Sequence, residues 1–349
     1  MVTNVTTEVW PTTPDVKLMW ETQYRVCDGL LAMGFCVCLF IGLPGNCLAL
    51  KYFIRSEKQN LPTLLYKTAC SIDIVSSVIH LPLVINLLNK RDPGLLGYEL
   101  FCSVWYSILL SLQLISMFVV MLLSVTRAIV IVFPFYRVNK KAVLLSIPAA
   151  LLYFLSWNTM YVGLGDLYYS RGFGYCDVHL AGHAVLNGVY MVNCSMCTGL
   201  PPVVVFFAMI VAIYKLKTNS IGDGTRDRNR QASMTIIYFA AVFLTCNFLT
   251  FLNNALFTAF KISKKSYVYF YGDTFLFFYS WLISEILCTV LNAALNPILY
   301  FCRMKEMRFW IWSLLHLGLS KVAPGDHSEQ PSVKSVSTNP SEKKVPSMS

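Results

Sequence analysis

The sequence predicts an all-α membrane protein: a bundle of seven spanning helices followed by a short amphipathic eighth. Composition is the first reason. The 349 residues are 56% hydrophobic and only 13% charged, with mean hydropathy +0.57, whereas a soluble chain carries about a quarter charged residues. Spacing is the second. The apolar residues fall into seven blocks, at 29–53, 63–88, 103–133, 142–163, 186–214, 233–260 and 274–300. Each is long enough for a helix across a bilayer, which takes about 20 residues. The third is what separates them: short polar connections and no internal repeat. The expected organisation is an outer segment at 1–28, the seven-helix domain at 29–300, the amphipathic helix at 301–316 and a disordered tail at 317–349.

An odd number of spans puts the termini on opposite sides, and Lys and Arg decide which side is cytoplasmic. Lys51, Arg55, Lys58, Arg137, Lys140, Lys141, Lys215, Lys217, Arg226, Arg228 and Arg230 fall in one set of loops, joined by Arg303, Lys305 and Arg308 after the last span. The other side has fewer: Lys17, Arg25, Lys90, Arg91, Arg171, Lys261, Lys264 and Lys265. The bias places the N-terminus outside a plasma membrane. It also makes the net charge of +10 a topology signal, with no nucleic acid implied. The first 26 residues lack the apolar core of a cleavable leader, so the first span is expected to act as its own insertion signal. Asn4-Val5-Thr6 is a glycosylation sequon on the outer side; Asn193-Cys194-Ser195 has the same pattern but falls inside span five.

Along the chain, each span carries a few residues that lipid alone would not select. Span one has Gly45-Asn46. Span two has Asp73 among apolar residues, where a carboxylate must be paired, protonated or bound to a cation. Cys102 opens span three on the outside, and Arg127 follows 25 residues later, roughly 37 Å along a helix, at the inner surface. Pro134 and a basic loop, Arg137 to Lys141, come next. Most of the twelve cysteines lie inside spans as small apolar filler. Cys102 and Cys176 share the oxidising side and are expected to form a disulfide; Cys27 also sits at the outer edge. Span five contains Pro201-Pro202, and span six reads Phe243-Leu244-Thr245-Cys246-Asn247-Phe248-Leu249. In span seven, Asn292, Asn296 and Tyr300 are four residues apart on one face, with Pro297 breaking the backbone ladder in the same stripe.

The run Asn296-Pro297-x-x-Tyr300 is similar to the signature that closes the seventh helix of rhodopsin-like G protein-coupled receptors. Cys102, the length of span three, Arg127 and Pro134 resemble that family's third helix and second inner loop. The resemblance covers roughly residues 29–316 and identifies an atypical member. It implies that Asn46 is a buried hub, and that Asp73, with Ser116, Asn292 and Asn296, holds an allosteric sodium ion through oxygen ligands. It implies that Arg127 meets a heterotrimeric G protein, and that Phe243, Asn247, Pro297 and Tyr300 take part in activation. Asp73 could instead be a protonated structural carboxyl.

The departures from the family pattern are specific. Thr126-Arg127-Ala128 stands where the family has Asp-Arg-Tyr, so the acid that restrains the arginine is missing, which implies raised ligand-free signalling. Asn247 replaces the tryptophan of helix six and Leu249 its proline; Asn247 could instead join the polar network of Asp73. Trp157 lies late in span four for the family's tryptophan. Met209 and Ile210 stand where helix five would carry its tyrosine. After Tyr300, basic and large apolar residues alternate from Arg303 to Trp312, as in an interfacial helix, with Phe309, Trp310 and Trp312 as membrane anchors. Tail residues Ser332, Ser335, Ser337, Thr338 and Ser341 are candidate sites for receptor kinases and arrestin.

The ligand site is expected between helices three, five, six and seven, lined by Leu109, Gln113, Asn247, Thr250, Phe251 and Asn254, with Arg171 and Glu285 at its mouth. Leu109 occupies the place of the aspartate that resembles bioamine receptors, which argues against an amine. Span seven has no lysine for retinal, Val290 standing about where an opsin's would be. No metal-spaced cluster or nucleophile motif points to an enzyme. A transporter would carry charged sites near the midplane, which these spans lack apart from Asp73. The expected activity is therefore that of a cell-surface receptor activating heterotrimeric G proteins, with membrane lipids around it. A peptide ligand is favoured. The loop from Asp166 to Asp177 alternates polar and apolar residues around glycines like a hairpin that leaves the pocket mouth open. Its outer charges of both signs suit a peptide. A lipid or small chemosensory ligand is the alternative within the same fold, and a transporter the alternative outside it.

Overall fold

The computed structural model describes residues 29–56, 60–82, 98–133, 135–164, 166–170, 175–179, 184–218, 237–252 and 275–317, with residues 26, 85 and 234 alone. The helices, numbered along the chain, are α1 (Gly29–Arg55), α2 (Leu61–Ile79), α3 (Glu99–Val132), α4 (Lys140–Leu164), α5 (Ala184–Thr218), α6 (Ile237–Leu252), α7 (Phe275–Arg303) and α8 (Lys305–Leu317). Between α4 and α5 lie two strands, β1 (Asp166–Ser170) and β2 (Tyr175–His179). They pair antiparallel, Asp166 opposite His179 and Ser170 opposite Tyr175, which bears out the hairpin expected for the outer loop. Most of α1, α3, α4 and α5 is long and apolar enough to cross a membrane. α2 is interrupted inside its apolar block: a turn at His80 follows Ile79, and Leu81, Pro82 and Ile85 are helical again. α7 runs past Tyr300 to Arg303, so the eighth helix begins at Lys305, later than the expected 301.

Local chemistry sets the helix ends. Asn60 caps α2, its side-chain oxygen accepting from the Thr63 amide at 3.0 Å, and Pro62 occupies a first-turn position where no amide is needed. Asn139 does the same for α4, accepting from the amides of Lys141 and Ala142. α1 contains one π turn, Cys38–Gly42, directly before Pro44. Proline has no amide to donate to the turn before it, and a wider turn is one way to pass that gap.

α3 is the central post and packs against α2, α4 and α5. α1 lies against α2 and α7. Two glycines of α1 make the latter contact possible. A Cβ on Gly42 would sit 3.0 Å from the Ala294 backbone, and one on Gly45 would sit 2.7 Å from the Pro297 ring. Small residues at such crossings let helix backbones approach in a membrane, where apolar burial alone gives no preference for protein over lipid. Phe243 and Ala240 of α6 close the ring against Met117 and Val120 of α3 and Val205 of α5. The hairpin rests on α3.

Candidate functional site

The polar residues of the seven-helix domain converge around the proline of α7. Pro297 cannot donate to the carbonyl of Ala293, four residues earlier, and in lipid an unpaired carbonyl costs several kcal/mol. Asn46 supplies the missing donor: its Nδ2 lies 2.9 Å from the Ala293 oxygen. The side chain is fully buried, and its own Oδ1 has no hydrogen-bond partner among the described residues. One turn along, Asn296 Nδ2 donates to Asp73 Oδ2 at 2.7 Å. α7 is thus tied to α1 and to α2 by two asparagine amides flanking its kink.

Of the four residues expected around sodium, the structure joins Asp73 and Asn296 directly. Asn292 is buried on the same face of α7 and Ser116 is half-buried in α3, with no hydrogen bond from either to Asp73 among those described. Asn247 does not extend this network. Its Nδ2 donates back to the Phe243 carbonyl of its own helix at 2.9 Å.

The cytoplasmic half is aromatic. Tyr300 is buried to 1% exposure, edge-on to Phe53 of α1 and Tyr66 of α2, with its ring centre 4.8 Å from that of Phe239 of α6. Met307 of α8 packs beneath the same cluster. Arg127 lines a small cleft with Ala128, Ala208, Ala212 and Ala240. Its Nε is buried and has no hydrogen-bond partner among the described residues. The preceding Thr126 turns its hydroxyl to the Leu123 carbonyl of its own helix at 3.1 Å. At the end of α7, the Arg303 guanidinium carbon sits 4.3 Å from the centre of the Tyr238 ring of α6.

On the outer side, Cys102 is buried and disulfide-bonded. The side chain of Cys176, on β2, lies outside the described residues, as do Cys27, Asn4, Pro134, Arg171, Asn254 and the side chain of Glu285. Within the expected ligand site, Thr250 is buried with its hydroxyl unpartnered among the described residues, and Leu109 and Gln113 are half-buried. Phe251 reaches α5: its ring stands where a Cβ on Gly199 would be.

Two tryptophans pack on neighbouring helices. Trp157 is half-buried. Its ring stacks at 6.5 Å on Tyr190 of α5 and on Tyr153 of its own helix, because α4 presents that face to α5. Trp310, expected as a membrane anchor with Phe309 and Trp312, is half-buried. It packs on Tyr52 of α1 at 5.7 Å, where Glu306 also accepts from the Tyr52 hydroxyl at 3.3 Å. Sequence reasoning missed a further network: Asn158, fully buried in α4, donates to Ser111 of α3 at 2.9 Å and accepts from Tyr190 of α5. A lone asparagine within a span was the available signal.

No family model matches the chain. Proteinase-activated receptor 2 of Mus musculus is 25% identical to it over 289 residues, covering 80% of this chain and 69% of the relative. The Rattus norvegicus and Homo sapiens proteins of the same name are 24% and 23% identical, over 78% and 80% of this chain and 68% and 69% of their own. The similarity covers about four-fifths of the chain, and the relatives are rhodopsin-like receptors. These similarities support a place among the rhodopsin-like G protein-coupled receptors. The relatives and the long apolar helices together indicate a multi-pass membrane protein and support a receptor for an extracellular ligand with a heterotrimeric G protein as partner. Asn46, Asp73 and Asn296 are the contacts by which this receptor holds the kink of its seventh helix.

Proposed function

We propose that this is a plasma-membrane receptor for a short peptide, with its N-terminus outside, coupling to G proteins at Arg127. The observation that carries the peptide reading is the paired β1–β2 hairpin resting on α3. A hairpin stands as a wall beside the pocket mouth and leaves the entrance open to a ligand from water. Arg171, between its strands, and Glu285, in the outer half of α7, supply charges of both signs for a peptide's termini. The relatives are named for activation by a proteinase, which makes a proteinase the second candidate activator.

The test is a calcium and cyclic-AMP screen of neuropeptide, lipid and small-molecule collections, with a proteinase arm. A peptide hit is expected, weakened by Arg171→Ala and by Glu285→Gln at unchanged surface level. Activation by a lipid that neither change affects removes the peptide reading. Activation by a proteinase alone replaces it. Arrestin and receptor kinases acting on the tail complete the proposed partners.

We also propose that sodium stabilises the resting receptor at Asp73, with Ser116, Asn292 and Asn296 as further oxygen ligands. The donor chemistry fits: a buried carboxylate stands on the face of α7 that carries the two asparagines, and Asn46 nearby holds an oxygen without a donor. A cation that binds one conformation better shifts the equilibrium toward it. Agonist affinity is expected to fall as sodium rises, and Asp73→Asn should abolish that dependence. A wild type indifferent to sodium would show a protonated structural Asp73.

A further inference from the structure

Among the described residues no acid pairs with the arginine of α3: Thr126 bonds to its own helix, and Arg127 Nε has no hydrogen-bond partner there. Something else has to keep α6 against the bundle at rest. Two described contacts join α6 to α7 at this end. Phe239 meets Tyr300, and one residue earlier Tyr238 meets Arg303. We propose that Arg303 and Tyr238 form the positioning clasp that holds the inner end of α6 closed, taking the place of the absent arginine–acid pair. The proposal rests on the reading that the receptor signals by moving α6.

The chemistry of Arg303 supports this. Its Nε is buried without a hydrogen-bond partner among the described residues, while the guanidinium lies over the Tyr238 ring. A guanidinium whose fork is not fully hydrogen-bonded gains most from the negative face of an aromatic ring. Arginine is also held in place from below. It is in the last turn of α7, where a cation complements the exposed carbonyls, and α8 follows after a single residue. α8 is itself fixed by Met307 in the core and by Tyr52 against Trp310 and Glu306. The clasp is therefore anchored on α7 and α8 and free only on the α6 side. Tyr238 is 43% exposed, so its ring can leave Arg303 without opening a cavity. A contact that is easily broken, between one fixed and one movable helix, is what a reversible latch requires.

Cation–π contacts of this kind shift a two-state ratio by about threefold to thirtyfold. Arg303→Gln and Tyr238→Leu should each raise ligand-free nucleotide exchange per surface receptor by roughly that factor. The double variant should rise no further than either single one, because both remove one contact. Tyr238→Phe keeps the ring and should stay at the wild-type level. Two nitroxide labels, on the inner ends of α6 and α7 in purified full-length receptor, give a readout independent of any G protein. Their mean separation should lengthen in Arg303→Gln and Tyr238→Leu and not in Tyr238→Phe. Longer separations with no exchange activity in any form would leave the clasp standing and overturn the G protein reading. Unchanged separations together with unchanged exchange would overturn the clasp, as would a Tyr238→Phe as active as Tyr238→Leu.

Discussion

Cys102→Ser is expected to remove most of the receptor from the cell surface. Cys102 is 2% exposed, near the outer end of α3, and is joined in a disulfide. α3 is the helix that α2, α4 and α5 share, and the hairpin rests on it. Its outer end is further tied to α2, where Trp105 Nε1 donates to the Ile79 carbonyl at 2.6 Å. A bridge across a long loop typically stabilises by 2–4 kcal/mol, about a thirtyfold to nearly thousandfold change in a folding ratio. The eight cysteines Cys36, Cys38, Cys47, Cys70, Cys194, Cys197, Cys246 and Cys302 are in no disulfide. Cys176, on β2, is the proposed partner, and Cys27 the competing one. Surface immunodetection and the melting temperature of solubilised receptor should fall equally in Cys102→Ser, Cys176→Ser and the double variant. Cys302→Ser, an exposed free thiol at the opposite end, should change neither. If Cys27→Ser reproduces the loss and Cys176→Ser does not, the hairpin is not the bridged element.

What the sequence disclosed here follows from lipid as a solvent. Asp73, Asn46 and Asn296 were legible one by one because apolar surroundings leave polar groups nothing else to do but meet. Their actual pairing was half legible. Pro297 announces an orphan carbonyl at Ala293, yet only the approach of α1, permitted by Gly42 and Gly45, decides that Asn46 fills it. Helix existence and order were legible from the apolar blocks, while the turn at His80 that interrupts the second block was hidden inside a run that stays apolar further on. Rotation was not legible. In α4 the polar and apolar residues are spread around the helix, so nothing in the pattern says that Trp157 faces α5 or that Asn158 faces Ser111. The same holds for Trp310, whose neighbours in sequence are as apolar as it is and which nevertheless turns to Tyr52. The Arg303–Tyr238 contact joins α7 to α6, and no spacing rule connects two such distant residues.

Tyr300→Ala should be the most damaging change on the cytoplasmic side, and it should damage stability and signalling together. The ring is among the most deeply buried large side chains in the structure and touches three other helices through Phe53, Tyr66 and Phe239. Truncating a buried aromatic to alanine typically costs 3–5 kcal/mol through lost contacts and the cavity left behind. In lipid the helices lack a hydrophobic drive to associate, so these packing contacts are a large share of what holds α6, α7, α1 and α2 together. Edge-on aromatic pairs add about 0.5–1.5 kcal/mol each beyond area. The melting temperature of solubilised Tyr300→Ala should drop well below that of wild type, and agonist-driven nucleotide exchange per folded receptor should be lost. Tyr300→Phe separates the two contributions. It keeps the packing and removes only the hydroxyl, so it should melt within a few degrees of wild type. A Tyr300→Ala receptor that melts like wild type would mean that the ring does not fill the cluster. A Tyr300→Phe as unstable as Tyr300→Ala would place the stabilisation in the hydroxyl rather than in the aromatic contacts that join the helices.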